Sequence, residues 1–255
     1  MRIRLLLLVA VVAITARAAA APIAGIDHMP FVVRDLDRAQ ASFRQSGFSI
    51  KPGRPHDNGL RTALVKFPDG SGIELVTSKT PVDALTRTYL ELLQQGEGPG
   101  FLSLHVRDPK RLVAALDAAG LPYDDRGDVP RVPLHGLEWL FFVGDNRSPS
   151  DRPEHFAHAN GATAMSRVWV APDDPAPLRR VLIALGATIE SRKVAAPDPV
   201  DAEVAQLDNG EILILPPEHQ LIPGRPIVGA TFTARESRAP RRVHGLWIEF
   251  RAPAQ

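Results

Sequence analysis

None of the 255 residues is a cysteine. That excludes thiolate nucleophiles, thiolate metal sites and disulfides. The spacings G-x-S-x-G and H-E-x-x-H, a phosphate-binding glycine loop and a dinucleotide fingerprint are also missing. The side chains left to do chemistry are histidines and carboxylates. His28 lies in IDHMPFVV, His56 in a polar loop, His105 in LSLHV, Glu74 in GIELV, Glu138 in GLEWL and Glu249 in WIEF, with His244 just before the last. Such donors move protons, or hold a divalent ion through nitrogen and oxygen. HFAHANGA adds His155, His158 and Asn160, either a metal pair or residues that orient a covering segment. Arg238, Arg241 and Arg242 read as a solvated basic run. Trp139, Trp169 and Trp247 read as packing between sheet and helices.

The elements that must position these residues recur in four weakly similar blocks. In the first, IDHMPFVV is a strand on which His28 shares a face with Ile26, Pro30 and Val32. RDLDRAQASFRQSGF follows as a helix, with Asp35 as N-cap, Leu36, Ala39 and Phe43 on one face, and Gly47 as its stop. FSIKPG, RTALVKF and GIELVTS then read as three strands, the last two joined by a PDG turn. The second block has a strand from Phe101 to Val106, a helix from Pro109 to Ala119 and a last strand from Gly136 to Val143. VRD marks the strand-to-helix junction in both blocks. The third runs from ATAMSRVWV through a helix ending at Gly186 to a late strand after a DNG turn. The fourth reads as a unit that has lost its helix and kept two strands.

Composition agrees with a folded chain: 44% hydrophobic, 23% charged, formal net charge +1. That charge offers no basic field for nucleic acid. MRIRLLLLVAVVAITARAAAAP has the three parts of a secretory signal: Arg2 and Arg4, an apolar run from Leu5 to Ala16, and small residues for cleavage between Ala18 and Ala21. As a helix the run reaches about 18 Å, short of the roughly 30 Å hydrocarbon core, so no permanent span is expected. Removal takes Arg2, Arg4 and Arg17 and turns the net charge negative. The expected location is a bacterial periplasm. The expected organisation is a signal peptide over 1–20, a first domain of modules one and two over 21–145, and a second half over 146–255.

The strand–helix–strand–strand–strand block resembles the vicinal oxygen chelate superfamily, and within it the glyoxalase-like domain group. The resemblance rests on Gly25 to His28 (GIDH), Arg34 to Asp37 (RDLD), Gly53 to His56 (G-x-x-H) and the strand around Ile73 to Leu75. Pro153 to Ala162 resembles the linker before a third module. The resemblance implies an α+β fold of repeated βαβββ modules curling into open, barrel-like sheets around a cleft. It also implies a divalent metal there, Zn, Mn, Fe or Ni, with His28 and Glu74 at matching ligand positions. Substrate oxygens would complete its coordination. The matching positions in later blocks are Phe101, Ser166 and Leu213, none of them a usual ligand, while Glu249 recovers a carboxylate. His56, His105 and Glu249 are the further cleft candidates. Three functions stay open: a metal-dependent lyase, isomerase or dioxygenase acting on a small oxygenated molecule, a metal-free protein that sequesters one, or a structural or interaction domain with no ligand. The expected partner is that small molecule, with a homodimer open.

Overall fold

The computed structural model describes residues 21–124, 129–144 and 147–253. The expected signal peptide over 1–20 lies outside them. Module one comprises β1 (Ile23–Ile26), β2 (His28–Val32), α1 (Leu36–Gln45), β3 (Lys51–Pro52), β4 (Arg61–Lys66) and β5 (Gly72–Thr77). A helix, α2 (Ala84–Gln95), separates it from β6 (Gly98–Pro99), β7 (Leu102–Val106), α3 (Pro109–Ala118) and β8 (Leu140–Val143) of module two. Module three holds β9 (Ala164–Val170), α4 (Ala176–Ala184), β10 (Thr188–Ala195), β11 (Pro199–Gln206) and β12 (Glu211–Ile214). Module four holds β13 (Ile227–Thr233), β14 (Arg238–Val243) and β15 (Leu246–Arg251), one strand more than expected.

Each module pairs its first strand with its last in parallel: β2 with β5, β7 with β8, β9 with β12, β13 with β15. Modules join through antiparallel first strands, β1 with β7 and β9 with β13. The result is α+β, with sheets ordered β3-β4-β5-β2-β6, β1-β7-β8 and β10-β11-β12-β9-β13-β15-β14.

The expected first strand divides at Asp27. Its N–H donates to the Ser103 carbonyl at 2.9 Å, and its carbonyl accepts from Gly72 N–H at 2.9 Å. Ile26 therefore ends in one sheet and His28 begins in another, so the two do not share a strand face as expected. FSIKPG likewise shrinks to the two-residue β3.

Asp35 caps α1 by accepting from the N–H groups of Asp37 and Arg38, both at 3.0 Å. α1 buries Leu36, Ala39 and Phe43 in a core that includes Phe31 and Leu75. This core runs on into the second half, where Phe48 meets Phe232 at 5.1 Å. The opposite face of the module-one sheet is covered by α2. Tyr89 and Leu93 of that helix pack with Val32, Leu60 and Val76. A capping box starts α2, Thr86 N–H donating to the Asp83 carboxylate at 2.7 Å and Asp83 N–H to the Thr86 hydroxyl at 2.8 Å. Arg225 pins its far end, donating to the carbonyls of Leu92, Gly96, Gly98 and Pro99.

Candidate functional site

The parallel register of β2 and β5 sets Pro30 opposite Glu74 and His28 opposite Gly72. Side chains alternate along a strand, so His28, Pro30, Glu74 and Val76 share the face that α2 partly covers. His28 Nε2 lies 3.8 Å from Glu74 Oε2, and both side chains keep some solvent access. The Nδ1 edge of the same ring is held by the buried carboxylate of Asp27.

Module two sets aromatic rings against this pair. The β7–β8 register sets Ser103 opposite Phe141 as Pro30 stands opposite Glu74, so Phe141 repeats the place of Glu74. By the same count from the shared VRD, Phe101 repeats the place of His28. His28 meets Phe141 edge-on at 5.6 Å, Phe141 meets Phe101 at 6.3 Å, and Phe101 meets Tyr89 at 5.9 Å. Burial, and secondarily the negative charge of Glu74, push the Tyr89 phenol well above its usual range. Tyr89 therefore keeps its proton at neutral pH. His28, Phe141, Phe101 and Tyr89 follow one another ring to ring, with Glu74 against the far edge of His28.

The remaining expected residues lie apart from this pair. His56 sits half-exposed in the β3–β4 loop, where its carbonyl accepts from Gly59 N–H at 2.9 Å. His105 stands on β7 opposite Val143 and Gly25. Glu138 is exposed and faces His135 at 3.4 Å. Glu249 is committed within the second half, accepting from the Thr231 hydroxyl and from Arg251 Nε, each at 2.8 Å. Trp169 donates to the same Thr231 hydroxyl at 2.9 Å. His244 pairs with Glu97 at 3.1 Å in the β14–β15 turn. His158 accepts from Ser49 N–H and donates to the Lys66 carbonyl, both at 2.9 Å, and Asn160 donates to the Ser46 carbonyl. HFAHANGA thus straps the linker to module one. Tyr89, Phe141 and Asp27 are the site residues the sequence reading missed; the D-x-x-T capping box before Tyr89 was the available signal for α2.

Among the described residues no group of three or more His, Asp or Glu side chains converges as a metal cage would require. A protein-held divalent ion usually takes three or more protein ligands. His28 and Glu74 supply two, and the ladder places Phe101 and Phe141 where a second pair would come from. The donor set therefore does not fit a resident ion of the four-ligand kind.

The chain matches the model of the glyoxalase-like domain family over residues 26–186, more than half its length. It belongs to that family, within the vicinal oxygen chelate superfamily. No curated protein matches it. Among solved structures, a hypothetical protein from Staphylococcus aureus aligns with a TM-score of 0.66 at 14% identity, covering 89% of this chain and 98% of that one. The 2,3-dioxygenase LapB from Pseudomonas sp. KL28 aligns at 0.58 and 14%, covering 91% and 93%. A mutant of 4-hydroxymandelate synthase from Streptomyces coelicolor aligns at 0.57 and 11%, covering 90% and 92%. These likenesses establish the shared fold. Among the described residues no helix is long and apolar enough to cross a membrane.

Proposed function

We propose that the protein takes a small oxygenated molecule into the space bounded by His28, Glu74, Tyr89, Phe101 and Phe141. The carrying observation is the pairing of His28 Nε2 with Glu74 Oε2 at 3.8 Å, opposite two phenylalanines at the corresponding positions of module two. The polar side suits an acidic proton or a hydroxyl of the ligand, since Nε2 and the Glu74 carboxylate accept. The phenylalanines suit an apolar portion. Such a site binds its ligand, and its His–Glu pair is placed to move a proton on it without a resident metal. Export to the periplasm, carried by the N-terminal segment, is part of the same proposal.

A second reading, a divalent-metal-dependent lyase, isomerase or dioxygenase, is favoured by one observation. Asp27 holds Nδ1 of His28 as carboxylates hold metal-bound imidazoles. Metal analysis of the purified protein, before and after incubation with Zn, Mn, Fe(II) or Ni, separates the two. Substoichiometric metal throughout supports the first reading. One ion per chain, lost in His28→Ala, overturns it in favour of the second.

A further inference from the structure

We infer that Asp27 is a positioning residue that fixes the tautomer of His28, so that the ring carries its proton on Nδ1 and presents a bare Nε2 lone pair to the cleft. Residues adjacent in a strand ordinarily point to opposite faces. The chain crosses between two sheets at Asp27, with its N–H on the Ser103 carbonyl and its carbonyl on Gly72 N–H. That crossing breaks the alternation and brings the Asp27 carboxylate onto the ring of its own neighbour. A carboxylate only accepts, so its contact with Nδ1 requires the proton to be there in the neutral imidazole. The other nitrogen, toward Glu74, is then the acceptor.

Burial supports a functional reason for this aspartate. It is only 1% exposed, and its second oxygen, Oδ2, has no hydrogen-bond partner. Ser103 Oγ, on the strand to which Asp27 is hydrogen-bonded, is the other buried side-chain atom without a partner among the described residues. A half-paired buried carboxylate costs stability, and a buried polar group retained at such a cost calls for a role. Setting the tautomer of the one histidine that faces Glu74 is that role.

The inference uses the proposed site only to say what Nε2 faces; the tautomer itself is read with no ligand present. The test is two-bond 1H–15N correlation spectroscopy of the uniformly 15N-labelled protein at a pH where His28 is neutral, its ring signals identified by their loss in His28→Gln. The expected spectrum has Nδ1 protonated and Nε2 in the lone-pair range. A wild-type spectrum with Nε2 protonated overturns the inference without recourse to any variant. In Asp27→Ala the ring is expected to shift toward the Nε2-protonated form that a free histidine side chain prefers. A folded Asp27→Ala protein that keeps Nδ1–H also overturns it. If the tautomer behaves as expected but no small oxygenated molecule binds, the proposed function fails and the positioning role stands.

Discussion

The imidazole of His28 meets the ring of Phe141 edge-on, centroids 5.6 Å apart, at the place where module two repeats the position of Glu74. Half of the site is thus built from polar groups and half from hydrocarbon, although both modules pair their first and last strands in parallel.

That equivalence predicts a gain of function. Phe101→His combined with Phe141→Glu restores a nitrogen and a carboxylate opposite His28 and Glu74, giving the four-donor set a divalent ion favours. The double variant should hold one Zn or Mn per chain by elemental analysis, and lose it when His28→Ala is added. It should also be less stable than the parent by about 2–4 kcal/mol, because aromatic packing is traded for polar groups. Failure of the variant to take up metal would show that the equivalent positions do not converge.

The strap after module two predicts stepwise acid sensitivity. Burial lowers the His158 pKa below its ordinary value, against the opposing hydrogen bond to the Lys66 carbonyl. The folded protein thus prefers the neutral ring. Its contribution is present above the unfolded value of about 6.5 and is lost as pH falls below it. Asp151 follows at lower pH. Burial raises its pKa, but hydrogen bonds from Lys51, Lys66 and Ser148 outweigh that and hold it at about 2. Its contribution, about 2 kcal/mol, is present above the unfolded carboxylate range and disappears between roughly pH 4 and pH 2. Urea midpoints measured across this range should show both losses, the first missing in His158→Gln and the second in Asp151→Asn.

The contrast between Glu74 and Asp27 shows what the sequence could disclose. His28 and Glu74 lie on strands whose alternation and shared module pattern place them on one face, so their convergence follows from local periodicity plus the recognised block. Asp27 is invisible to the same reasoning, because alternation assigns it to the opposite face and only the crossing between sheets reverses that. Tyr89 was missed because α2 is an insertion between modules that nothing in the repeat requires. β14 was missed because RAPRRV has little of the apolar pattern that marks a strand; it lies at the edge of its sheet, where exposed arginines suit an unpaired side. The fate of Glu249 was hidden for another reason. Its position matches that of Glu74, but only the packing shows Thr231 and Arg251 already holding it.

In the second half Trp169 donates to Thr231, whose hydroxyl in turn donates to Glu249. Gly229 lies two residues before Thr231, on the same face of β13, and a Cβ added there would stand 2.3 Å from Trp169 Cε3. The indole occupies the space a side chain at that position would need. Gly229→Ala should therefore cost at least about 1–3 kcal/mol through overpacking, read from urea unfolding. Trp169→Ala in the same background should remove most of that added penalty, though it carries the larger cost of its own cavity. Additive losses in the double-mutant cycle would show that the two positions do not compete for the same space.

Arg225 ties the cleft's cover to the second half. Its guanidinium is buried and, among the described residues, donates only to main-chain carbonyls, at the end of α2 and along β6. Burial pulls its pKa down to about 10, still high enough for the group to remain charged at neutral pH. Arg225→Met keeps the apolar stem but leaves several buried acceptors unserved, for an expected loss of about 3 kcal/mol or more. Arg225→Lys should recover only part of this, since a single ammonium cannot reproduce the fork. The damage should be local before it is global. α2 carries Tyr89 and covers the face of His28 and Glu74, so its amides should exchange faster in Arg225→Met while those of β9 and β12 keep their protection. Unchanged exchange in α2, with the stability loss spread evenly over both halves, would show that Arg225 supports the core rather than the cover.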